Sequence, residues 1–428
     1  MLFNPQPWAE DGTIFIQQGI FGGWKSIIIP YAGYFHVIPR LVTLLAIHAG
    51  LQVSQNLSLV PLFMNLAAIA ISGFCISFVA NPRFTWLAPI PYRVLIALLV
   101  VGMPGIYETL GNITNIQWFL GYYLCLVVWD LFITDSTPGL LGMLATVFAC
   151  LSSPVGMMFV VLYLLVYFNR LRSSGATPSN LLDYVRHFKK KYLSQMIYIV
   201  ILILANVAQA WTIVHGTRGF VKGTSQFALA LSFGLKVLLG GIFARLLIPN
   251  FASFVNYLGF SIPVLVGTLY VSLIFNTKFT LETSGRGRNL LFVPSIYAVA
   301  VLFLTYVGSK SWFELYRIPF GDGGGRYLVI PMSIVLTLTV AALNRRVTFF
   351  VKDFQSGVKF RKLLSKHMGT VGLAVLLLLV LRTEIFNFKV PAFVDYHWHL
   401  STKAYQANGK DVQKVPINPP GWNIVIPK

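Results

Sequence analysis

Residues 156–169 read GMMFVVLYLLVYFN, residues 170–192 read RLRSSGATPSNLLDYVRHFKKKY, and residues 193–211 read LSQMIYIVILILANVAQAW. Two apolar runs flank a strongly basic stretch, and the same alternation fills the chain. Runs about 17 to 23 residues long suit a hydrocarbon core about 30 Å thick, where a helix satisfies its own backbone. The pattern predicts an all-α, polytopic membrane helix bundle. Composition agrees: of 428 residues, 56% are hydrophobic and only 11% charged, with a mean hydropathy of +0.72, where about 25% charged is usual for soluble domains.

The formal charge of +20 does not argue for nucleic acid. Such a partner needs the basic residues on one soluble face, and here they sit in loops between apolar runs. No nucleic-acid partner is expected, whereas membrane lipids are. Cys75, Cys125 and Cys150 all lie inside apolar runs, a placement that supports neither a disulfide framework nor a metal cluster.

Spans are expected near 58–80, 94–109, 117–134, 140–152, 156–169, 193–211, 256–276, 290–308, 327–343 and 369–383, about ten in all. The stretch 170–192 carries Arg170, Arg172, Arg186 and Lys189 to Lys191, and 344–368 carries Arg345, Arg346, Lys352, Lys359, Arg361, Lys362 and Lys366. The positive-inside rule makes both cytoplasmic. Residues 81–93 and 277–289 then lie inside, while 1–57, 110–116, 309–326 and the tail from 384 lie outside. Residues 228–249 are apolar enough to span but would break this alternation. With Lys236, Gly240–Gly241 and Arg245 spoiling a span, they are expected to form a re-entrant or interfacial element within 212–255. Residues 35–50 are too short and too polar for a span, and an amphipathic helix lying on the surface is expected there. No internal repeat supports an inverted-repeat transporter. The expected organisation is a transmembrane domain over 1–383 and a short extracytoplasmic tail over 384–428.

The unusual polar residues gather on the expected outer side. PWAEDG places Glu10 and Asp11 side by side, and a carboxylate there can deprotonate an acceptor hydroxyl or hold a metal. The alternative is an acidic first turn that serves only a helix dipole. PYAGYFHVIPR (Pro30 to Arg40) carries Tyr34, with His36 and Arg40 spaced to share a helix face toward an anion. Glu108 is a candidate second acid or a solvated interfacial residue. Asn112, Asn115 and Gln117 offer hydrogen bonds suited to a sugar beside the stacking face of Trp118. Asn112-Ile113-Thr114 is formally a glycosylation sequon, but it sits too close to two spans to be modified. GDGGGRY brings glycine amides, Arg326 and a helix start together, an arrangement suited to phosphate, although without the GKS or GKT ending of a Walker loop. Lys236 and Arg245 are candidates to pin a lipid phosphate or to snorkel. His397 and His399 alternate as strand neighbours do and lack a third metal ligand. Asp130 and Asp135, at the far end of a span, read as structural, and Pro154 as a turn between two apolar halves.

In this arrangement, and in the elements EDG (Glu10 to Gly12), PYAGY...PR (Pro30 to Arg40), TN.QW (Thr114 to Trp118) and GGRY (Gly324 to Tyr327), the chain resembles polyprenyl-phosphate-sugar-dependent glycosyltransferases of the GT-C class. It looks closest to a group of bacterial multipass proteins within that class. The resemblance implies an inverting transfer at the extracytoplasmic face of the inner membrane, from a polyprenyl-phosphate-linked sugar to a polysaccharide, lipid or protein acceptor. It implies a first-loop carboxylate as base, with Asp11 favoured over Glu10. Only Glu10 and Asp11 fall on a motif with an assigned role in that class; local chemistry alone assigns the donor phosphate to Arg326, Lys236, Arg245 and Arg40, and sugar or acceptor to Glu108, Asn112, Asn115, Gln117, Trp118, His36 and Tyr34. No cofactor is assigned, and one Glu-Asp pair is a thin ligand set for a divalent metal. In such enzymes a helix precedes the acidic loop, so a start site further upstream is expected. A lipid-linked saccharide polymerase or ligase is the competing reading. A secondary transporter is disfavoured because most spans lack an ionisable residue.

Overall fold

A computed structural model describes residues 3–103, 106, 109–134, 136–173, 181–215, 242, 265, 267–268, 280–283, 286–308, 325–353, 378, 393–403 and 412–427. The protein is mostly helical. A wide π turn, Asp11–Ile16, leads into α1 (Gln17–Gly22), followed by α2 (Val37–Ser54), α3 (Val60–Ser77), α4 (Ile90–Val101) and α5 (Ile116–Thr134). Then come α6 (Leu140–Cys150), α7 (Gly156–Ser173), α8 (Leu181–His215), α9 (Phe292–Gly308) and α10 (Val329–Asp353). Among the described residues five helical segments are long and apolar enough to cross a membrane: Val37–Ser54, Val60–Ala80, Ile116–Thr134, Gln195–His215 and Arg326–Asn344.

Helix α5 is the axis of the bundle. It is hydrophobic all round, as expected of a helix enclosed by others, and 94% of its apolar window is buried. Two polar contacts tie it to neighbouring helices. Tyr122 Oη lies 2.8 Å from Thr337 Oγ1 of α10, and Tyr297 Oη of α9 donates to the Gly121 carbonyl at 3.0 Å. Gly121 is needed for close packing, because a Cβ there would lie 2.3 Å from Ile330 Cδ1.

The far end of α5 is locked by one carboxylate. Asp130 accepts from Arg83 Nε at 2.8 Å, Trp86 Nε1 at 3.1 Å and Ser136 Oγ at 3.1 Å. The structural reading of Asp130 from sequence fits this saturation. Helix α3 leads to the same end, with Phe74 and Phe78 packed on Tyr123 at ring distances of 5.6 and 4.8 Å. Asp130→Ala should destabilise the fold by about 3 kcal/mol, the low end of what breaking a buried pair costs. Arg83 is 31% exposed and keeps some hydration. A fall in melting temperature in detergent, with a smaller fall for Asp130→Asn, is the expected result.

Several sequence expectations are corrected. The fold is not purely helical: β1 (Thr280–Thr283) pairs antiparallel with β2 (Arg286–Asn289), and β3 (Val412–Ile417) pairs with β4 (Trp422–Pro427). In the second hairpin Val415, Ile417, Ile424 and Ile426 are buried, the two-residue period of a half-buried strand. The basic stretch 170–192 is largely helical, since α7 continues to Ser173 and α8 begins at Leu181. Helix α10 likewise carries Arg345, Arg346 and Lys352, as lysine and arginine are good helix formers. The span expected at 94–109 is instead the 12-residue α4. The helix expected to be too short at 35–50 runs 18 residues to Ser54 and meets the length and composition of a span. The break at Pro154 falls between α6 and α7 as expected. Spans 256–276 and 369–383 and the segment 212–255 lie almost wholly outside the described residues.

Candidate functional site

The π turn carries the acidic motif. Glu10 precedes it and makes no side-chain cap. Asp11, in its first turn, turns away from its own helix: Oδ1 accepts from the Thr114 amide at 3.0 Å and from the Thr114 hydroxyl. The dipole-serving alternative therefore does not account for Asp11. It is 4% exposed. Burial pushes its carboxyl up to about 7, against the pull of the Thr114 hydroxyl and amide, and the charge of Glu10 adds to the rise. Glu10 is half-buried and accepts from Tyr31 Oη at 3.4 Å.

Thr114 belongs to a tight turn that opens α5. Gly111 takes φ +74° there, a conformation that favours glycine, and Asn112 Oδ1 accepts from the Asn115 amide at 3.2 Å. Asn112, Asn115, Gln117 and Trp118 are all buried, so they form a wall and not an open sugar face. With Asn112 4% exposed, the sequon is closed to modification. Tyr34 Oη donates to Gln117 Oε1 at 2.6 Å. Trp118 meets Tyr327 edge-on at 5.2 Å, and Arg326, beside Tyr327 in the 3-10 turn Gly325–Leu328, lies close enough for its charge to act on the Tyr34 phenol.

The PYAGYFHVIPR stretch closes the cluster. Tyr31 and Tyr34 bond each other's backbones, and His36 stacks on Tyr34 with ring centres 4.2 Å apart. His36 is fully buried, and desolvation pushes its pKa down to about 3. It is therefore neutral. Its Nδ1–H donates to the Tyr34 carbonyl at 3.2 Å, which leaves Nε2 as a bare acceptor without a partner among the described residues. Arg40 is 1% exposed. Nη2 donates to Gln18 Oε1 at 2.8 Å, and the guanidinium lies over Phe15 at 5.2 Å. Among the described residues Nε and Nη1 have no partner, and neither does Trp118 Nε1. A buried guanidinium with two unanswered nitrogens is costly to keep, and no carboxylate pairs with it among the described residues.

The tail braces the acidic turn from outside. The Asn418 carbonyl accepts from Ala9 N, and the Val425 amide donates to Gln17 Oε1 at 2.9 Å. Gly12 has no room for a side chain, since a Cβ would stand 2.3 Å from Ile417 Cδ1. Gln6 Nε2 donates to Asp395 Oδ1 at 2.7 Å.

The structure thus brings together Glu10, Asp11, Tyr34, His36, Arg40, Asn112, Asn115, Gln117, Trp118 and Arg326. Glu108, Lys236 and Arg245 lie outside the described residues. His397 and His399 are not strand neighbours: His397 caps the single helical turn Trp398–Ser401, and the two rings stand 6.4 Å apart and nearly perpendicular. Among the described residues no group of three His, Cys, Asp or Glu can hold a metal ion. Thr114, Gln18 and Tyr31 were not singled out by sequence reasoning. Thr114 lay in view as the last residue of the sequon and the first of the TN.QW element, without a role of its own.

Together the fold and the site define a predominantly helical protein with, among the described residues, five helices long and apolar enough to cross a membrane and a buried polar centre at one end of the bundle. Comparison with protein-family models, curated proteins and solved structures returned no match.

Proposed function

We propose that the chain is a polyprenyl-phosphate-dependent glycosyltransferase of the bacterial inner membrane, acting at the extracytoplasmic face on a polysaccharide, lipid or protein acceptor. The observation that carries this reading is a buried polar network, running from Asp11 through Thr114, Gln117, Tyr34 and His36 to Arg40, that holds an acid near neutrality and a guanidinium with two nitrogens unanswered among the described residues. The orientation is supported by charge. Gln195 of α8, just after Lys189 to Lys191, donates to Thr137 Oγ1 at 3.1 Å near the Asp130 end, and α10 starts at the site end, where Tyr327 meets Trp118, and carries Arg345 to Lys352 in its far part, which fits a cytoplasmic side.

In this mechanism Asp11 takes the proton of an acceptor hydroxyl as that oxygen attacks the anomeric carbon. The bond from that carbon to the phosphate oxygen breaks, inverting the configuration, and polyprenyl phosphate leaves with the bonding pair. Arg40 and Arg326 balance the charge that develops on the leaving phosphate. The bare Nε2 of His36 is free to accept a sugar hydroxyl.

The base must be ionised to act, so the rate should rise with pH through about 7 and level above it. Stability should move the other way. The folded-state pKa lies above the ordinary value of 3.8, so the fold holds a proton that the unfolded chain loses, and Asp11 makes the protein less stable as pH rises from about 4 to about 7. Opposite slopes of rate and melting temperature over that window are the expected result, both flattened in Asp11→Asn. The direct test is release of polyprenyl phosphate from a polyprenyl-phosphate hexose by purified protein in proteoliposomes, followed by phosphorus NMR. Uptake of substrate with no covalent product would favour a transporter instead.

A further inference from the structure

The far end of the bundle holds a cavity that the Asp11–Arg40 centre does not use. It has a volume of about 230 Å³ and lies between α3, α5 and α6. Asp130, at its outer end, stands about 21 Å along α5 from Ile116, at 1.5 Å per residue. The floor is one face of α5, where Tyr123, Val127 and Asp130 follow at helical spacing. Phe74 and Phe78 of α3 form one wall, and Gly139, Leu141 and Ala145 at the start of α6 form the other. Phe74 and Leu141 are exposed, so the cavity opens sideways between two helices. Segments Val60–Ala80 and Ile116–Thr134, both long and apolar enough to cross a membrane, finish at this corner, which sets the cavity at the depth of one leaflet.

Two polar groups in this apolar lining lack a full set of partners. Arg83 gives Nε to Asp130 and Nη2 to Ser136 Oγ and the Thr137 carbonyl, which leaves Nη1 without a bond among the described residues on a side chain that is 31% exposed. Tyr123 is only 2% exposed, yet its hydroxyl has no hydrogen-bond partner among the described residues, and a buried donor left unpaired is costly. The phenol lies near enough to Arg83 for that charge to act on it. Charge at this corner favours an anion. Arg93 Nη1 donates to the carbonyls of Ala80 and Asn81, and Asn81 also lines the cavity, so two guanidiniums meet one carboxylate, Asp130, among the described residues. The contact of Gln195 with Thr137 brings α8 to the same corner, and Lys189 to Lys191 lie one to two turns before Gln195 on that helix. With Arg186 these lysines outnumber Asp135 and Asp183, the other acids of these stretches in sequence.

We propose that this cavity is a binding site for an anionic phospholipid of the leaflet at the Asp130 end, with the phosphate on Arg83 Nη1, a glycerol ester carbonyl accepting from the Tyr123 hydroxyl, and one acyl chain against Phe74 and Phe78. A phospholipid presents phosphate, ester and chain in that order, and basic pockets between membrane helices on a cytoplasmic side suit such headgroups. A free anion would answer Arg83 alone and leave the aromatic wall and the Tyr123 hydroxyl unused. The site does not depend on the glycosyltransferase reading.

A photoactivatable phosphatidylglycerol, with a diazirine in one acyl chain, tests this on the full chain in phosphatidylcholine nanodiscs, the cross-linked residues being mapped by peptide mass spectrometry. Cross-links concentrated on Phe74, Phe78, Leu141 and Ala145 are expected, and unlabelled phosphatidylglycerol should compete about tenfold better than added phosphatidylcholine. Tyr123→Phe, which removes only the hydroxyl, should weaken labelling by about three- to tenfold. Gly139→Leu should weaken it further with an unchanged melting temperature, because Gly139 has an ordinary φ of −69° and a Cβ there meets nothing within 4 Å, so a larger side chain can take up cavity volume. Labels spread evenly over exposed positions such as Leu204 and Val207 of α8 would overturn the proposal in favour of bulk lipid, and equal competition by phosphatidylcholine would remove the anionic headgroup from it. Equal displacement by inorganic phosphate would overturn it in favour of a free anion. If either variant fails to fold, the cross-link map and the competition on the unsubstituted protein give the decision.

Discussion

Asp11→Asn should lose transfer by about 10²- to 10⁴-fold, the usual share of a positioned general base, while the protein folds and extracts normally. The asparagine oxygen can still accept from the amide and hydroxyl of Thr114, the two bonds that hold Oδ1. Removing the charge also removes a desolvation cost, so the melting temperature at pH 8 should not fall. The same change at Glu10, which is half-buried and bonded only to Tyr31 by its side chain among the described residues, should cost far less. Full transfer by Asp11→Asn at normal expression would remove Asp11 as base.

Arg40→Met separates function from stability in the opposite sense. Arg40 is buried with two nitrogens unanswered among the described residues, and replacing an uncompensated buried charge by an apolar side chain of similar length is neutral or stabilising. The cation–π contact with Phe15 is worth about 0.5 to 2 kcal/mol and offsets part of that gain. The melting temperature should therefore hold or rise. Transfer should fall by roughly 10²-fold, since a hydrogen bond to a charged group contributes about 1.5 to 3 kcal/mol, and the loss should fall on donor KM more than on the pH profile. A protein that melts much lower and binds donor normally would make Arg40 a packing residue.

The apolar runs made the bundle legible, because a continuous run such as Ile116 to Thr134 has few other ways to satisfy its backbone. Helix ends were less so. Lysine and arginine favour the helix as well as the water beyond it, so α8 begins at Leu181 where charge alone suggested a loop. The hairpin of the tail carries its period in VQKVPI and WNIVIP, but Pro416 and its shortness masked it beside the longer apolar runs. At the site, each motif could be found in isolation. The bond between Asp11 and Thr114 spans 103 positions, and no local spacing encodes such a pairing. Nor does the four-residue spacing of His36 and Arg40 reveal their difference: His36 precedes the helix with a ψ of +59°, while Arg40 sits on its buried face. Burial itself converts both from surface anion ligands to desolvated groups awaiting a partner.

The most direct measurement is native mass spectrometry of the purified protein with polyprenyl monophosphate, comparing wild type, Asp11→Asn and Arg40→Met. The account predicts one phosphate-bearing lipid bound to wild type and to Asp11→Asn, and binding weakened at least tenfold in Arg40→Met. Equal binding by all three, or binding no tighter than that of the corresponding polyprenol, would contradict it.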